Sequence, residues 1–149
     1  MATANVQKQV SVDAEALRAA WLNRLGKLID QIESWAKELD WSTRRIEKKM
    51  EDSQIGKYRA PALLLQRDTS RMLAEPIGRS APGAEGVVDL YLMPAYDDIV
   101  SLLFYDETWN LHYMFPGDPT AATIDDAKEK PLCKEALQEV LEEMIKHAS

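Results

Sequence analysis

The strongest constraint on the fold is a change of apolar periodicity along the chain. Between Val12 and Leu39 the apolar residues recur in steps of mostly four and three, at Leu17, Trp21, Leu25, Leu28, Ile32, Trp35 and Leu39. This spacing places them on one face of a helix. Ser11 can cap that helix, and Asp13 adds a favourable charge to its first turn. The pattern predicts a long helix over 12–39.

A second, short helix is predicted directly after the first. Ser42 is placed to cap it, residues from Thr43 to Asp52 are mostly good helix formers, and Gly56 supplies a stop. Four basic side chains would then form a cluster, each pair one helical turn apart: Arg44 with Lys48, and Arg45 with Lys49.

The middle of the chain changes to short segments with a period of two, separated by turn residues. This pattern is typical of an antiparallel meander. Pro76 removes a ladder donor, so its strand is expected to lie at an edge or to be broken there. Asp106 and Glu107 form the tight connection of the clearest hairpin. Five strands are predicted: Ala62–Arg67, Arg71–Arg79, Val87–Met93, Ile99–Tyr105 and Thr108–Phe115.

A second helical periodicity closes the chain from near Pro131, a residue that the first turn of a helix tolerates. Helices and strands are segregated in sequence, which favours an α+β fold with the helices packed on one face of the sheet. At 149 residues the chain is expected to form one domain, with residues 1–10 as a flexible tail.

Composition limits the classes of function. The net charge is −7, which argues against a broad nucleic-acid or anionic-membrane surface, although the basic cluster remains as a local patch. The sequence contains neither an apolar run of about 20 residues nor an apolar secretory core, so we expect a cytoplasmic protein. Cys133 is the single cysteine, which excludes an internal disulfide and a Cys-rich zinc site. No cofactor is predicted.

Two chemical alternatives rest on charged residues. Asp89, Asp97 and Asp98 could bring carboxylate oxygens together for Mg²⁺ or Mn²⁺ in a metal-dependent hydrolase or nuclease, although turn chemistry also explains the last two. The basic cluster could contact nucleic acid, although acidic residues at 47, 51 and 52 dilute its charge. No catalytic constellation stands out from these patterns.

The leading expectation is a non-catalytic protein-interaction module that binds a partner or self-associates. Aromatic residues are enriched at protein interfaces, and the 12–39 helix carries two of the four tryptophans. The element order is similar to that of small α+β secretion-chaperone-type domains, which bind protein segments on a sheet or helix face. This similarity implies an adaptor or chaperone-like role. The candidate contact residues on the helix are Trp21, Leu25, Leu28, Ile32 and Trp35.

Overall fold

The computed structural model describes residues 2–95, 98–113 and 128–148. They form an α+β fold in which a long N-terminal helix, α1 (Ala2–Glu38), precedes one antiparallel sheet, and a shorter helix, α2 (Lys134–Ala148), follows it. The seven strands lie side by side in chain order. They are β1 (Ser42–Asp52), β2 (Gly56–Arg67), β3 (Ser70–Gly78), β4 (Val87–Leu92), β5 (Ile99–Tyr105), β6 (Thr108–Tyr113) and β7 (Lys128–Pro131).

The end of α1 turns the chain back toward the sheet. Asp40 adopts a left-handed conformation with a φ of 67°. Its amide donates to the carbonyl of Lys37, and the amide of Trp41 donates to the carbonyl of Ala36 at 2.9 Å. This pair of bonds is the Schellman pattern, which satisfies carbonyls that a helix end leaves free. It is also the reason why α1 stops where the apolar stripe stops.

The predicted short helix is wrong, because Ser42–Asp52 forms strand β1. This strand pairs with β2 along its whole length, from Ser42 opposite Gln66 to Asp52 opposite Gly56. Helix propensity is a weak preference per residue, and the hydrogen bonds of a continuous ladder override it. The closing helix also begins later than predicted, at Lys134, because residues near Pro131 form β7. The sheet therefore has seven strands and not five.

The β5–β6 hairpin was predicted correctly, including its two-residue connection. Asp106 and Glu107 have φ values of 52° and 59°, as a tight turn between twisted strands requires at both central positions. Strand β6 ends at Tyr113, and the last two residues of the predicted strand, Met114 and Phe115, lie outside the described residues.

Pro76 lies in the internal strand β3, at a point where β3 is no longer paired with β2. Pairing between β2 and β3 ends with Leu63 opposite Ala74, so β2 needs no hydrogen bond from position 76. On the other side of β3, the register with β4 shifts between Pro76 and Gly78. The missing N–H of proline is thus tolerated where the ladder is interrupted.

One hydrophobic core joins alternate residues of the strands to residues of both helices. Helix α1 contributes Trp21, Leu25 and Ile32, and helix α2 contributes Leu137 and Leu141, all among the most buried side chains. Helix α1 lies mainly against β1 and β2, whereas α2 lies against β4. The packing of both helices on one sheet face stays a prediction.

Strand β2 changes the face that it buries. Leu63 and Leu65 are buried, but so are Ala60 and Ala62, which have the opposite parity. The change falls where β2 loses its pairing with β3, so that β1 and β2 continue as a two-stranded ribbon. Such ribbons twist more than wide sheets. We call this part of the hairpin, residues 46–62, the distal ribbon.

The twist brings the distal ribbon against α1. The indole Nε1 of Trp21 donates to the hydroxyl of Tyr58 at 3.0 Å. Asp52 accepts hydrogen bonds from the two backbone amides of the ribbon's turn and pairs with Arg79 at 3.2 Å. Trp21 also needs space that only glycine leaves, because a Cβ at Gly86 would lie 2.9 Å from its ring. The tip of the ribbon is therefore fixed to the body of the protein.

Candidate groove and basic strand

The predicted contact residues of the long helix lie mostly inside the protein. Trp21, Leu25 and Ile32 are at most 2% exposed and pack in the chain's own core. Leu28 is also buried, but it forms part of the floor of a surface groove, and Trp35 is half-buried beside it. Of the five side chains, these two lie where a partner could contact them.

The groove has a volume of about 550 Å³ and lies where α1 meets β5 and β6. Its apolar lining combines Leu28 and Trp35 of α1 with Phe104, Trp109 and Leu132. Phe104 and Trp109 face each other across the hairpin and meet edge to face, with ring centres 5.3 Å apart. This aromatic pair forms part of the floor of the groove, and its edge-to-face geometry is the arrangement that aromatic pairs prefer.

Two basic side chains of α1, Arg24 and Lys27, line the rim of the groove. Arg24 lies with its guanidinium 4.1 Å from the ring centre of Phe104 and donates to the backbone carbonyl of Glu85 at 2.8 Å. Lys27 follows three residues later on α1, with an exposed side chain. Among the described residues that line the groove there is no carboxylate. The groove is thus locally positive in a chain whose net charge is −7.

The basic cluster divides between the two sides of β1. Side chains alternate along a strand, so Arg44 and Lys48 share one side while Arg45 and Lys49 share the other. Arg45 forms ion pairs with Asp30 and with Glu33 of α1. Hydrogen bonds to these two carboxylates raise the pKa of Arg45. The predicted helical pairs, one turn apart, are therefore not formed.

Lys48 belongs to a polar network that ties β1 to the next strands. Its Nζ lies 2.7 Å from Glu75 Oε2 and donates to the Pro76 carbonyl at 2.8 Å. The Tyr91 hydroxyl donates to the other oxygen of Glu75 at 2.7 Å. Burial opposes ionisation of Glu75, but the hydrogen bonds from Lys48 and Tyr91 outweigh it and lower the pKa of Glu75. Burial, together with Glu75, raises the pKa of Tyr91 to about 12.

The acidic candidates are only partly described. Asp89 is 8% exposed in β4 and accepts a hydrogen bond from the Ser101 hydroxyl at 3.0 Å. Asp98 directly precedes β5, and Asp97 lies outside the described residues. Among residues 2–95, 98–113 and 128–148, no three His, Cys, Asp or Glu side chains group closely enough to hold a metal ion.

Sequence reasoning missed Arg24, Lys27 and Phe104 as members of one site. Arg24 and Lys27 directly precede Leu25 and Leu28 of the apolar stripe of α1, so the sequence already indicated that basic side chains border this stripe. The aromatic residue comes from β5, about 80 residues later, and periodicity carries no information on such a distant contact.

The chain matches no protein-family model, and neither curated proteins nor solved structures show significant similarity to it. Neither helix of the described part contains a stretch that is both long enough and apolar enough to cross a bilayer. The groove and the basic strand must therefore be interpreted from their own geometry.

Proposed function

We propose that this protein is a non-catalytic interaction module, a small cytoplasmic adaptor or chaperone-like subunit, that binds an acidic and apolar segment of a partner protein in the α1–β5–β6 groove. The observation that carries the proposal is the combination of an aromatic floor with two rim cations and no lining carboxylate in the described residues.

The floor supplies the apolar part of recognition. Trp35 and Phe104 are half-buried, so a side chain placed between them would remove the rest of their surface from water. Burying apolar surface contributes about 25 cal/mol per Å² before the costs of association. Large aromatic residues at the centre of a concave patch are the usual anchors of binding energy.

The rim supplies the charge preference. Arg24 has guanidinium donors beyond the one used on the Glu85 carbonyl, and Lys27 reaches solvent three residues further along α1. Carboxylates of a bound segment would therefore meet two cations about one turn apart, which favours acidic segments over basic ones. Because the chain as a whole is acidic, the two cations determine that the groove selects acidic segments.

The test is selection of short peptides by the intact protein from a displayed random library. We expect the selected peptides to combine Asp or Glu with large apolar residues, and to change the fluorescence of Trp35 on binding. Arg24→Glu and Lys27→Glu should each weaken the best peptide about tenfold in Kd.

Lys37→Glu is the matched control, because it reverses the same charge on the same helix outside the groove. It should leave the Kd within twofold of the unaltered protein. Selection without enrichment of acidic and apolar residues, or equal binding by the Lys27→Glu variant, would contradict the proposal. No comparable set of contacts among the described residues supports a metal-dependent hydrolase or a nucleic-acid-associated protein, and both alternatives stay predictions.

A further inference from the structure

We propose that the free edge of β1 is a self-association surface, on which a second copy of the chain pairs its own β1 in antiparallel register centred on Lys48. This surface is separate from the groove, and its occupant is defined by the charge pattern of the strand itself.

The outer edge of β1 offers a ladder template. Among residues 2–95, 98–113 and 128–148, strand β1 is first in the order of the sheet and pairs only with β2, so one row of its backbone donors and acceptors points away from the sheet. It is long, with 11 residues, and carries Ile46, a large apolar side chain that is 36% exposed. Long exposed edges attract another strand unless charge or shape prevents it.

On one side of β1 the charges alternate in sign, so they do not simply repel a second copy: Arg45, Glu47, Lys49 and Glu51. When Lys48 of one copy faces Lys48 of the other, Glu47 faces Lys49 and Arg45 faces Glu51. Arg44 then faces Asp52, and Ile46 faces Met50. Arg45 and Asp52 already hold ion pairs within their own chain, so the pairs that they make across the ladder add less than the pair of Glu47 with Lys49. The twofold axis produces each of these pairs twice. Opposite charges in directly facing positions stabilise an antiparallel pair, and so does an apolar pair.

Neighbouring registers lack this complementarity. Centring the pair on Glu47 places Arg45 opposite Lys49, and centring it on Lys49 places Glu47 opposite Glu51. Like charges that face each other across a ladder are destabilising. The charge pattern therefore favours the register centred on Lys48 over both of its neighbours that keep equivalent faces of the two sheets on the same side.

The central lysine would repel its copy if it were free, but its charge is already engaged. Lys48 Nζ lies 2.7 Å from Glu75 and donates to the carbonyl of Pro76, so the side chain turns toward its own sheet. Glu47 and Lys49 have exposed side chains that can turn toward a partner strand, and Glu47 would exchange its exposed ion pair with Arg59, at 3.3 Å, for one with the partner. The pair that decides the register is accordingly Glu47 with Lys49.

The experiment is a charge-reversal cycle measured by sedimentation across a micromolar to millimolar concentration series. The unaltered chain should form dimers, and Glu47→Lys and Lys49→Glu should each weaken the dimer at least about tenfold in Kd. The double variant Glu47→Lys/Lys49→Glu restores every facing pair and should dimerise like the unaltered chain. Circular dichroism checks that each variant is folded.

Asp13→Lys makes the same charge change as Glu47→Lys on the exposed side of α1 and should not alter the dimer. Lys27→Glu, in the groove, should also leave it unchanged. A chain that is monomeric throughout the series overturns the inference, as does a double variant that stays as weak as the single ones. Dimerisation lost in Lys27→Glu would place the contact in the groove and overturn it too.

Discussion

The two edges of the sheet differ in length, in charge pattern and in what holds them to the body of the protein. Edge strand β7 has four residues, includes Pro131, and holds both of its lysines in ion pairs with α2: Lys130 with Glu139 at 2.6 Å and Lys128 with Glu143 at 3.7 Å. These are the usual features of an edge that resists further pairing.

Edge strand β1 is likewise tied to a helix by ion pairs, from Arg45 to Asp30 and Glu33, but it differs in length and in its apolar contacts. It is nearly three times as long, its hairpin partner β2 reaches the core at Ala60 and Leu63, and the ribbon is fixed through Tyr58 to a buried tryptophan. The β7 edge is thus short and held by ion pairs, whereas the β1 side adds apolar burial through its hairpin partner. Four substitutions test how far this difference extends.

The largest effect is expected from Trp21→Ala. Trp21 is 2% exposed and contacts the distal ribbon, so its loss should lower the free energy of unfolding by about 3–5 kcal/mol. Urea denaturation followed by circular dichroism measures it. Leu17→Ala, one turn earlier and 43% exposed, is the control and should change stability by less than about 0.5 kcal/mol. Equal effects would mean that Trp21 is not part of the core.

A smaller effect is expected from Tyr58→Phe. The substitution keeps the ring but removes the hydroxyl that accepts from the Trp21 indole at 3.0 Å. Losing one hydrogen bond between side chains of this burial should cost about 1 kcal/mol in the same denaturation experiment. The tryptophan emission should shift as well, because the indole loses its partner. An unchanged emission spectrum would argue against the contact.

The next effect depends on pH. The pKa of Glu75 is lower in the folded protein than its ordinary value of 4.5, so its contribution to stability is present above that pH and is lost as pH falls through the folded-state pKa. Lys48→Met should therefore destabilise the protein by up to about 1 kcal/mol at neutral pH, and by much less in acid. Lys49→Met, one residue along, should show no such dependence on pH.

The smallest effect is expected at β7. Lys130→Ala removes the ion pair with Glu139, which is partly exposed, and should cost about 0.5 kcal/mol or less. Because salt screens such pairs, the difference from the unaltered protein should shrink further at about 1 M salt. A larger and salt-independent loss would show that the β7 edge is anchored like the β1 edge, and the comparison would fail.

Local pattern predicted much of this fold. The apolar stripe of α1, the β5–β6 hairpin and the interruption at Pro76 all follow from spacing or from the chemistry of single residues, and the structure contains each of them. Strand β1 was missed because Arg, Lys, Glu and Met favour a helix locally, while the ladder that holds them extended comes from β2.

The candidate site was less predictable than the fold. Sequence spacing identified Leu28 and Trp35 but could not distinguish them from Trp21 and Leu25, because all four lie on the same stripe. Which residues of a helical stripe stay accessible depends on the strand residues that pack against them. Here Phe104 and Trp109 line the groove beside Leu28 and Trp35, and the pattern of the stripe contains no information on these two residues.

The change of buried face within β2 has a consequence for local unfolding. Within the described part of the chain, residues 56–62 have a ladder on one side only, whereas Leu63–Arg67 are hydrogen bonded to both neighbours. The distal ribbon can therefore open as a cooperative unit while the remaining strands stay paired, and its amides should exchange with solvent through smaller openings than those of β4 or β5. Each such opening would break the hydrogen bond between Tyr58 and Trp21, so the rate at which a protease cleaves near Gly56 reports how often the ribbon leaves the core.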